Sequence, residues 1–287
     1  MQTISWIVFR TMLEKCNPDK KNLLLRYLSS EEQEKLNRIT PVAQDPFTAP
    51  LSTEQRINRI HYSWLIAFLE PFTDKDRALI ISTLSTTQEK KLRTHFNIHQ
   101  SPLVISSHIK NYVLRTIFHW LISDQKELIP MEFLPYHSLN ELLTLSKPLL
   151  QTLVDYLGLH DLAVETQLVI KTKQIHKIQR ALSKSQRTYL KILLTKKEPI
   201  SFARLNLKGW NGDEAMLKGI LHCRGFNRLA KALFGCHPSL LWHLCHTLDI
   251  GRNKILRRFL IDINNEQIQE ILTQQVLELI PIIHKEK

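Results

Sequence analysis

Apolar residues recur along the chain at the three- and four-residue spacing of an amphipathic helix. Three runs show this spacing most clearly: Ile57, Ile60, Trp64, Leu65 and Phe68; Leu142, Leu145, Leu149, Leu153 and Tyr156; and Ile268, Ile271, Leu272 and Val276. Residues at this spacing lie on one side of an α-helix, whereas a half-buried strand alternates at every second residue. Alternating stretches of useful length are absent. The pattern therefore predicts an all-α protein with thirteen or fourteen helices.

The distribution of glycine favours the same fold class. The first 157 residues contain no glycine, and six of the seven glycines lie between Gly209 and Gly251. A segment without glycine lacks the residue that most readily adopts the positive φ angles of tight hairpin turns. The long glycine-free part of the chain is therefore expected to be helical.

A proline-rich stretch divides the chain into an N-terminal part and a main body. Residues 40–53 contain three prolines, and proline lacks the amide hydrogen that the interior of a helix requires. We interpret this stretch as a linker between an N-terminal helical unit, residues 1–39, and a first helical domain, residues 54–130. A second helical domain is predicted over residues 132–287.

A repeated signature marks several helix starts. The pattern Leu-Ser-x-x-Glu/Gln-x-x-x-Leu begins at Leu28, Leu84 and Leu182. In a capping box the serine side chain accepts a hydrogen bond from the third residue of the helix, and the Glu or Gln side chain returns one to the serine amide. Ser138 and Glu141 have the same spacing and predict a further helix start. The three full copies are irregularly spaced, so coincidence stays open beside a repeat.

Positive charge is concentrated in about one third of the chain. The formal net charge is +12, and residues 171–258 contain 19 lysines and arginines but only 4 acidic residues. Residues 1–170 contain 18 residues of each sign. A strongly basic segment attracts an acidic protein surface, anionic lipid or nucleic acid, for which Trp210, Phe226 or Trp242 are candidates for stacking on bases. A solvated basic surface without a partner is the other interpretation.

Two clusters in the basic segment are the predicted partner-binding residues. Arg224, Arg228 and Lys231 lie four and three residues apart, so a helix places them on one face. The second cluster contains Arg252, Lys254, Arg257 and Arg258. A further set of basic residues occupies one or two preceding helices: Lys171, Lys173, Lys177, Arg180, Lys184 and Arg187.

Cysteine and histidine, both of them zinc ligands, are also concentrated in this segment. The weak candidates for a metal site are Cys223, Cys236, His237, His243 and His246. Their spacing matches no standard zinc motif, and cysteines and histidines buried in a helical core are the simpler interpretation. We therefore predict no metal site.

No local motif of a known enzyme class occurs in the sequence. Nucleotide-binding glycine patterns, the metalloprotease histidine motif and the nucleophile elbow are all missing. The sequence therefore predicts a protein that is not an enzyme and has no cofactor or small-molecule substrate, although an active site assembled from distant residues stays open. The four cysteines form no disulfide pattern, and no secretory signal or membrane span is recognised, so a cytoplasmic location is expected.

Two stretches of the chain resemble FliG, the flagellar motor switch protein. Residues 57–92 are similar to its middle domain, a helical repeat. Residues 142–190 resemble its C-terminal domain through Leu150-Gln151, Leu153, Asp161-Leu162-Ala163, Ile178, Leu182-Ser183 and Leu190. The charged Asp-Asp-Arg triplet of the FliG torque helix is replaced here by Ser146-Lys147-Pro148. The resemblance therefore implies stacked, armadillo-like helical repeats without the motor activity.

Residues 217–248 look like the helical C-terminal part of the SctK (YscK) family, accessory proteins of the sorting platform in bacterial type III secretion. This resemblance implies a scaffold that links the inner-membrane ring to cytoplasmic components, with secretion-apparatus proteins as partners. It also implies a location peripheral to the inner membrane. A helical nucleic-acid-binding protein that uses residues 171–258 is the alternative.

Overall fold

The all-α prediction is confirmed by the structure, a computed structural model. It describes residues 3–39, 51–125, 127–167, 172–196, 198–200, 202, 204–205, 207 and 210–285. These residues form fifteen α-helices, two short 3-10 helices and no β-strand, which is consistent with a helical-repeat architecture.

The α-helices are distributed along the whole described chain. In chain order they are α1 (Thr3–Lys15), α2 (Pro18–Leu25), α3 (Ser30–Asn37), α4 (Thr53–Arg59), α5 (Ser63–Leu69), α6 (Asp74–Ile81), α7 (Thr86–His95), α8 (Ser107–Leu121), α9 (Lys147–Gln167), α10 (Thr172–Ala181), α11 (Lys184–Thr195), α12 (Glu214–Ala232), α13 (Pro238–Thr247), α14 (Ile250–Phe259) and α15 (Glu266–His284). The 3-10 helices are Met131–Phe133 and Ser138–Thr144.

The chain divides into two compact units. Unit 1 comprises residues 1–140 and 236–250, and unit 2 comprises residues 141–235 and 251–287. In unit 1, helices α4 to α8 surround one apolar cluster: Ile57, Leu65, Leu69, Ile80, Ile81, Leu84, Leu92, Leu114 and Ile117. These positions include apolar residues of the first periodic run, so its spacing marks the buried side of the helices.

Residues 3–39 form a smaller cluster of their own within unit 1. Trp6 and Leu13 of α1 pack with Leu36 of α3. Arg10 donates hydrogen bonds to the carbonyl oxygens of Leu36 and Asn37 at the C-terminal end of α3. Most of the predicted linker lies outside the described residues, so the division into four segments stays a prediction.

The capping boxes at Ser29 and Ser183 are confirmed. In both, the serine oxygen accepts from the third residue of the helix, and that residue's side chain accepts from the serine amide. A third box joins Ser52 and Gln55 at the start of α4. The sequence pattern missed this box because Arg59 stands where the pattern requires leucine. Ser138 instead begins a 3-10 helix.

The predicted box at Ser85 is replaced by a long-range contact. Ser85 donates to Gln88 Oε1 at 2.8 Å and does not cap α7. Gln88 Nε2 donates to the carbonyl oxygens of Ile57, at 2.9 Å, and Ile60, at 2.8 Å. Ile60 has an extended backbone that ends α4, and the buried Gln88 amide donates to carbonyl oxygens at this end of the helix, where fewer helical donors are available. The apolar run that begins at Ile57 therefore covers two helices.

Helix α9 is the centre of unit 2 and packs against α11, α12 and α15. The closest approach is to α12, at Gly158 and Gly225. A Cβ added at Gly158 would lie well under 3.0 Å from the Leu221 carbonyl oxygen, and one at Gly225 would meet the Val154 carbonyl oxygen in the same way. The two helix backbones therefore approach to a distance that only glycine permits.

Candidate functional site

Arg228, a predicted partner-binding residue, lies at the centre of unit 2 with 0% of its surface exposed. Its guanidinium donates to Asp161 Oδ1 at 2.6 and 3.1 Å, to Glu198 Oε1 at 3.0 Å and to Gln275 Oε1 at 2.8 Å. It also donates to the Ile200 carbonyl oxygen at 3.1 Å. The prediction that Arg228 belongs to an exposed binding face is therefore wrong. A charge removed from water requires such partners, and here they fix its place in the core.

The same buried network continues to His160 and Tyr189. His160 contacts Glu198 Oε2 through Nδ1 at 2.6 Å and the Tyr189 hydroxyl through Nε2 at 3.0 Å. Burial alone would raise the pKa of Glu198, but the His160 hydrogen bond and charge, Arg228 and the Gln275 side chain outweigh it and lower that pKa to about 2. Burial, with nearby Glu278 and Glu198, raises the pKa of Tyr189. The network therefore holds an ionised carboxylate and a neutral phenol between helices.

Two further predicted residues, Arg224 and Lys231, are half-buried and engaged within unit 2. Arg224 donates to the Arg204 carbonyl oxygen at 3.1 Å, and Lys231 donates to the Ile261 carbonyl oxygen at 2.6 Å. Burial lowers the pKa of Lys231, and Asp262 partly offsets this effect. Both cations therefore hold a loop against α12, and this contact stabilises the fold of unit 2.

Arg252 belongs to a hydrogen-bonded chain of three side chains. Its Nε donates to His222 Nε2 at 3.1 Å, which leaves the ring proton on Nδ1, where it is donated to Asp155 Oδ1 at 2.6 Å. Because both ring nitrogens are used, His222 is oriented but has no free nitrogen for acid–base chemistry in this arrangement.

The remaining predicted residues, Lys254, Arg257 and Arg258 on α14, are exposed. Arg257 Nε donates to Asn253 Oδ1 at 3.2 Å. None of the three is within ion-pair distance of a carboxylate in the described part of the chain. Their positions in the helix place them within about one turn of each other, so we call them the α14 triad. The α14 triad is the part of the predicted site that remains available to a partner.

A second exposed basic surface lies on α10 and α11. Helix α10 and helix α11 together contain six lysines and arginines and no acidic residue: Lys173, Lys177, Arg180, Lys184, Arg187 and Lys191. All six are exposed, and none pairs with a described carboxylate. The basic composition of this stretch was visible in the sequence, but Lys191 was missed because it lies one turn beyond the charge run.

The cysteines and histidines proposed as weak zinc candidates do not converge. His243 Nε2 donates to the Ile129 carbonyl oxygen at 2.8 Å, and His246 Nδ1 donates to the Trp242 carbonyl oxygen at 2.8 Å. His237 accepts from the Ser239 amide at the start of α13, Cys236 lies 3.8 Å from His137 Nε2, and Cys223 is an exposed residue of α12. Across the described ranges, no group of three or more His, Cys, Asp or Glu side chains is arranged to hold a metal ion.

His243 gives unit 1 a pH dependence. Burial lowers its pKa to about 4; the Ile129 hydrogen bond and Glu132 oppose this effect, while Arg56 and Arg59 add to it. The folded state therefore binds the proton less well than the unfolded state, whose histidine pKa is about 6.5. The contribution of neutral His243 to the free energy of unfolding is therefore fully present above pH ~6.5. It is lost as the pH falls towards 4, which lowers the free energy of unfolding by up to roughly 3 kcal/mol.

This dependence can be measured by urea unfolding at pH 7.0, 5.5 and 4.5. Tryptophan fluorescence reports mainly on unit 1, because Trp210 alone of the five tryptophans lies in unit 2. We expect the His243→Gln variant to show a shallower loss of stability in acid than the wild type. If the free energy of unfolding falls equally steeply with decreasing pH in both proteins, His243 is not the cause of the pH dependence.

The aromatic residues considered for stacking on nucleic-acid bases are all buried. Trp210 and Trp242 are buried in units 2 and 1, Phe226 is fully buried in α12, and Trp242 stacks on His246 with ring centroids 3.9 Å apart. Stacking on a base requires an exposed ring face. These residues therefore cannot serve that role in the described conformation, and this part of the prediction is wrong.

Comparison with known proteins gives no match: no family model, no curated protein and no solved structure is similar to the chain at a significant level. The resemblances to FliG and to the SctK family therefore stay predictions from the sequence. Among the described helices, none combines the length and apolar character needed to cross a membrane.

Proposed function

We propose that the chain is a non-enzymatic helical adaptor that binds an acidic protein partner through the α14 triad. The sequence resemblance to the SctK family supports its assignment to the cytoplasmic platform of a type III secretion apparatus. In that setting the adaptor links inner-membrane ring proteins to cytoplasmic components and is peripheral to the inner membrane.

The observation that carries this proposal is the contrast between buried and exposed cations in unit 2. Arg228 is surrounded by acceptors, whereas Lys254, Arg257 and Arg258 face water without a described carboxylate partner. Like charges three and four residues apart on a helix destabilise it slightly. The α14 triad therefore contributes nothing to the fold through ion pairs, and an acidic partner surface would relieve its repulsion.

The geometry favours a protein partner over nucleic acid. The α14 triad could contact phosphates, but Trp210, Phe226 and Trp242 are buried and supply no stacking surface. Binding to phosphates alone would lose affinity steeply and linearly on a log–log plot against salt concentration. A salt titration with an oligonucleotide therefore separates the two partner classes.

The direct test is charge reversal of the α14 triad in the full-length chain. We expect the Lys254→Glu, Arg257→Glu, Arg258→Glu variant to capture its partner at least about 30-fold less well, because several rim charges then repel an acidic surface. The readout is affinity capture from the source bacterium, followed by mass spectrometry and western quantification of ring and platform proteins.

The matched control reverses three charges on the other basic surface: Lys184→Glu, Arg187→Glu and Lys191→Glu. It has the same net charge as the α14 variant and should keep the partner. Recovery of secretion-apparatus proteins by the wild type and the control, but not by the α14 variant, supports the proposal. Recovery of only ribosomes or DNA, or equal losses in both variants, contradicts it.

A further inference from the structure

A cleft of about 500 Å³ lies against α10 and α11 in unit 2. Ile175 and Ile178 of α10 and Leu190 and Leu194 of α11 supply its apolar part, and Thr166 of α9 also lines it. Basic side chains line it as well: Lys184, Arg187 and Lys191. None of the described residues that line the cleft is acidic. It therefore combines an apolar surface with unpaired positive charge.

The three cations share one face of α11. Lys184, Arg187 and Lys191 are spaced by three and four residues, so their side chains follow one another along the helix. Lys184 is the first residue of α11, where the helix dipole favours negative charge, and no acidic residue lies in the first turn. Lys184 is thus placed against the electrostatic preference of the helix start, which is expected where a residue serves binding instead of stability.

We propose that this cleft binds an anionic membrane lipid. The phosphate headgroup contacts Lys184, Arg187 and Lys191, and the beginning of an acyl chain lies over Ile175 and Leu194, which are half-buried. Such a site would hold unit 2 at the surface of a bilayer that contains anionic lipid, without a membrane-spanning segment.

An anionic lipid, which has both a charged headgroup and an apolar chain, fits the cleft better than nucleic acid does. Nucleic acid would use the cations but leaves the apolar lining without a role, because the lining residues within the described ranges include no aromatic side chain for base stacking. Ile192 of α11 is 47% exposed and adds an apolar contact beside the cations. Basic residues with neighbouring exposed apolar side chains are typical of helices that lie at the membrane surface.

The test is co-sedimentation of the full-length protein with vesicles of phosphatidylglycerol and phosphatidylcholine, compared with vesicles of phosphatidylcholine alone. We expect binding to the anionic vesicles only. Each basic residue near an anionic surface contributes about 1 kcal/mol, so the Lys184→Glu, Arg187→Glu, Lys191→Glu variant should bind at least about 100-fold more weakly. The charge-matched α14 variant should bind within a few-fold of the wild type.

A charge-neutral variant separates the cleft from a diffuse electrostatic attraction. Thr188 is an exposed residue that lines the cleft, so Thr188→Trp fills it without changing a charge. We expect Thr188→Trp to reduce vesicle binding about 10-fold. Unchanged binding by this variant, or equal losses in both triple variants, overturns the cleft assignment.

Two further arms identify the ligand. Inorganic phosphate at matched ionic strength should not displace the protein from anionic vesicles; displacement would assign the site to a free anion and overturn the lipid proposal. Failure to bind anionic vesicles also overturns it. That failure is distinguishable from failure of the adaptor proposal, because partner capture by the α14 triad is measured without vesicles.

Discussion

Replacing Arg228 with methionine is expected to lower the free energy of unfolding by about 3–5 kcal/mol. The change removes the guanidinium that Asp161 and Glu198 share, so Asp161 loses its ion-pair partner, whereas Glu198 keeps its contacts with His160 and the Gln275 amide. Asp161 Oδ2 already lacks a described hydrogen-bond partner, so this carboxylate depends on Arg228 through its other oxygen. Guanidinium unfolding followed by circular dichroism measures the loss.

Arg224→Met is the matched control for Arg228→Met. Arg224 lies one turn earlier in α12 and, among the described residues, donates one hydrogen bond, to the Arg204 carbonyl oxygen. We expect its replacement to cost less than about 1 kcal/mol. Adding Asp161→Asn and Glu198→Gln to Arg228→Met should recover part of the loss, because the buried charges left behind are removed. Equal effects of the two single replacements would show that the buried network does not stabilise unit 2.

Gly225→Ala should destabilise unit 2 by at least about 3 kcal/mol, beyond the usual cost of overpacking. Its new methyl group would meet the backbone of α9 at Val154, and a backbone carbonyl cannot rotate away as a side chain can. The helices would have to separate along a contact that also includes Gly158 and Leu221. Chemical unfolding of the purified variant, or its loss of soluble expression, measures the effect.

Gly219→Ala provides the control in the same helix. A Cβ at Gly219 meets no atom within 4 Å, and the residue is exposed. Alanine at an exposed helix position is favoured over glycine by about 0.5–1 kcal/mol, so this variant should be slightly more stable than the wild type. If Gly225→Ala and Gly219→Ala change the free energy of unfolding by the same amount, the close packing of α9 and α12 does not stabilise unit 2.

Local sequence patterns predicted the features that depend on neighbouring residues. Helical spacing of apolar residues predicted the fold class, and the boxes at Ser29 and Ser183 formed because both partners lie within one helical turn. Ser85 has the same local pattern, yet its partner Gln88 is used by carbonyls 28 and 31 residues away. A local rule fails where a distant group offers the same side chain a buried hydrogen bond.

The burial of Arg228 illustrates the same limit at the candidate site. Its acceptors on Glu198, Gln275 and Asp161 are 30, 47 and 67 residues away in sequence. Helical spacing correctly placed Arg228 on α12, but spacing cannot tell which face of a helix meets buried carboxylates. The exposed basic surface of α10 and α11 was easier to recognise from composition, because a stretch without acidic residues offers no local ion pairs.

The division between buried, structural cations and exposed, binding cations is tested most directly by partner capture with the Lys254→Glu, Arg257→Glu, Arg258→Glu variant. Its thermal unfolding midpoint is measured on the same preparation. We expect an unfolding midpoint within a few degrees of the wild type and at least about 30-fold less captured partner. Undiminished capture by the folded variant would contradict the assignment of the α14 triad as the partner-binding surface.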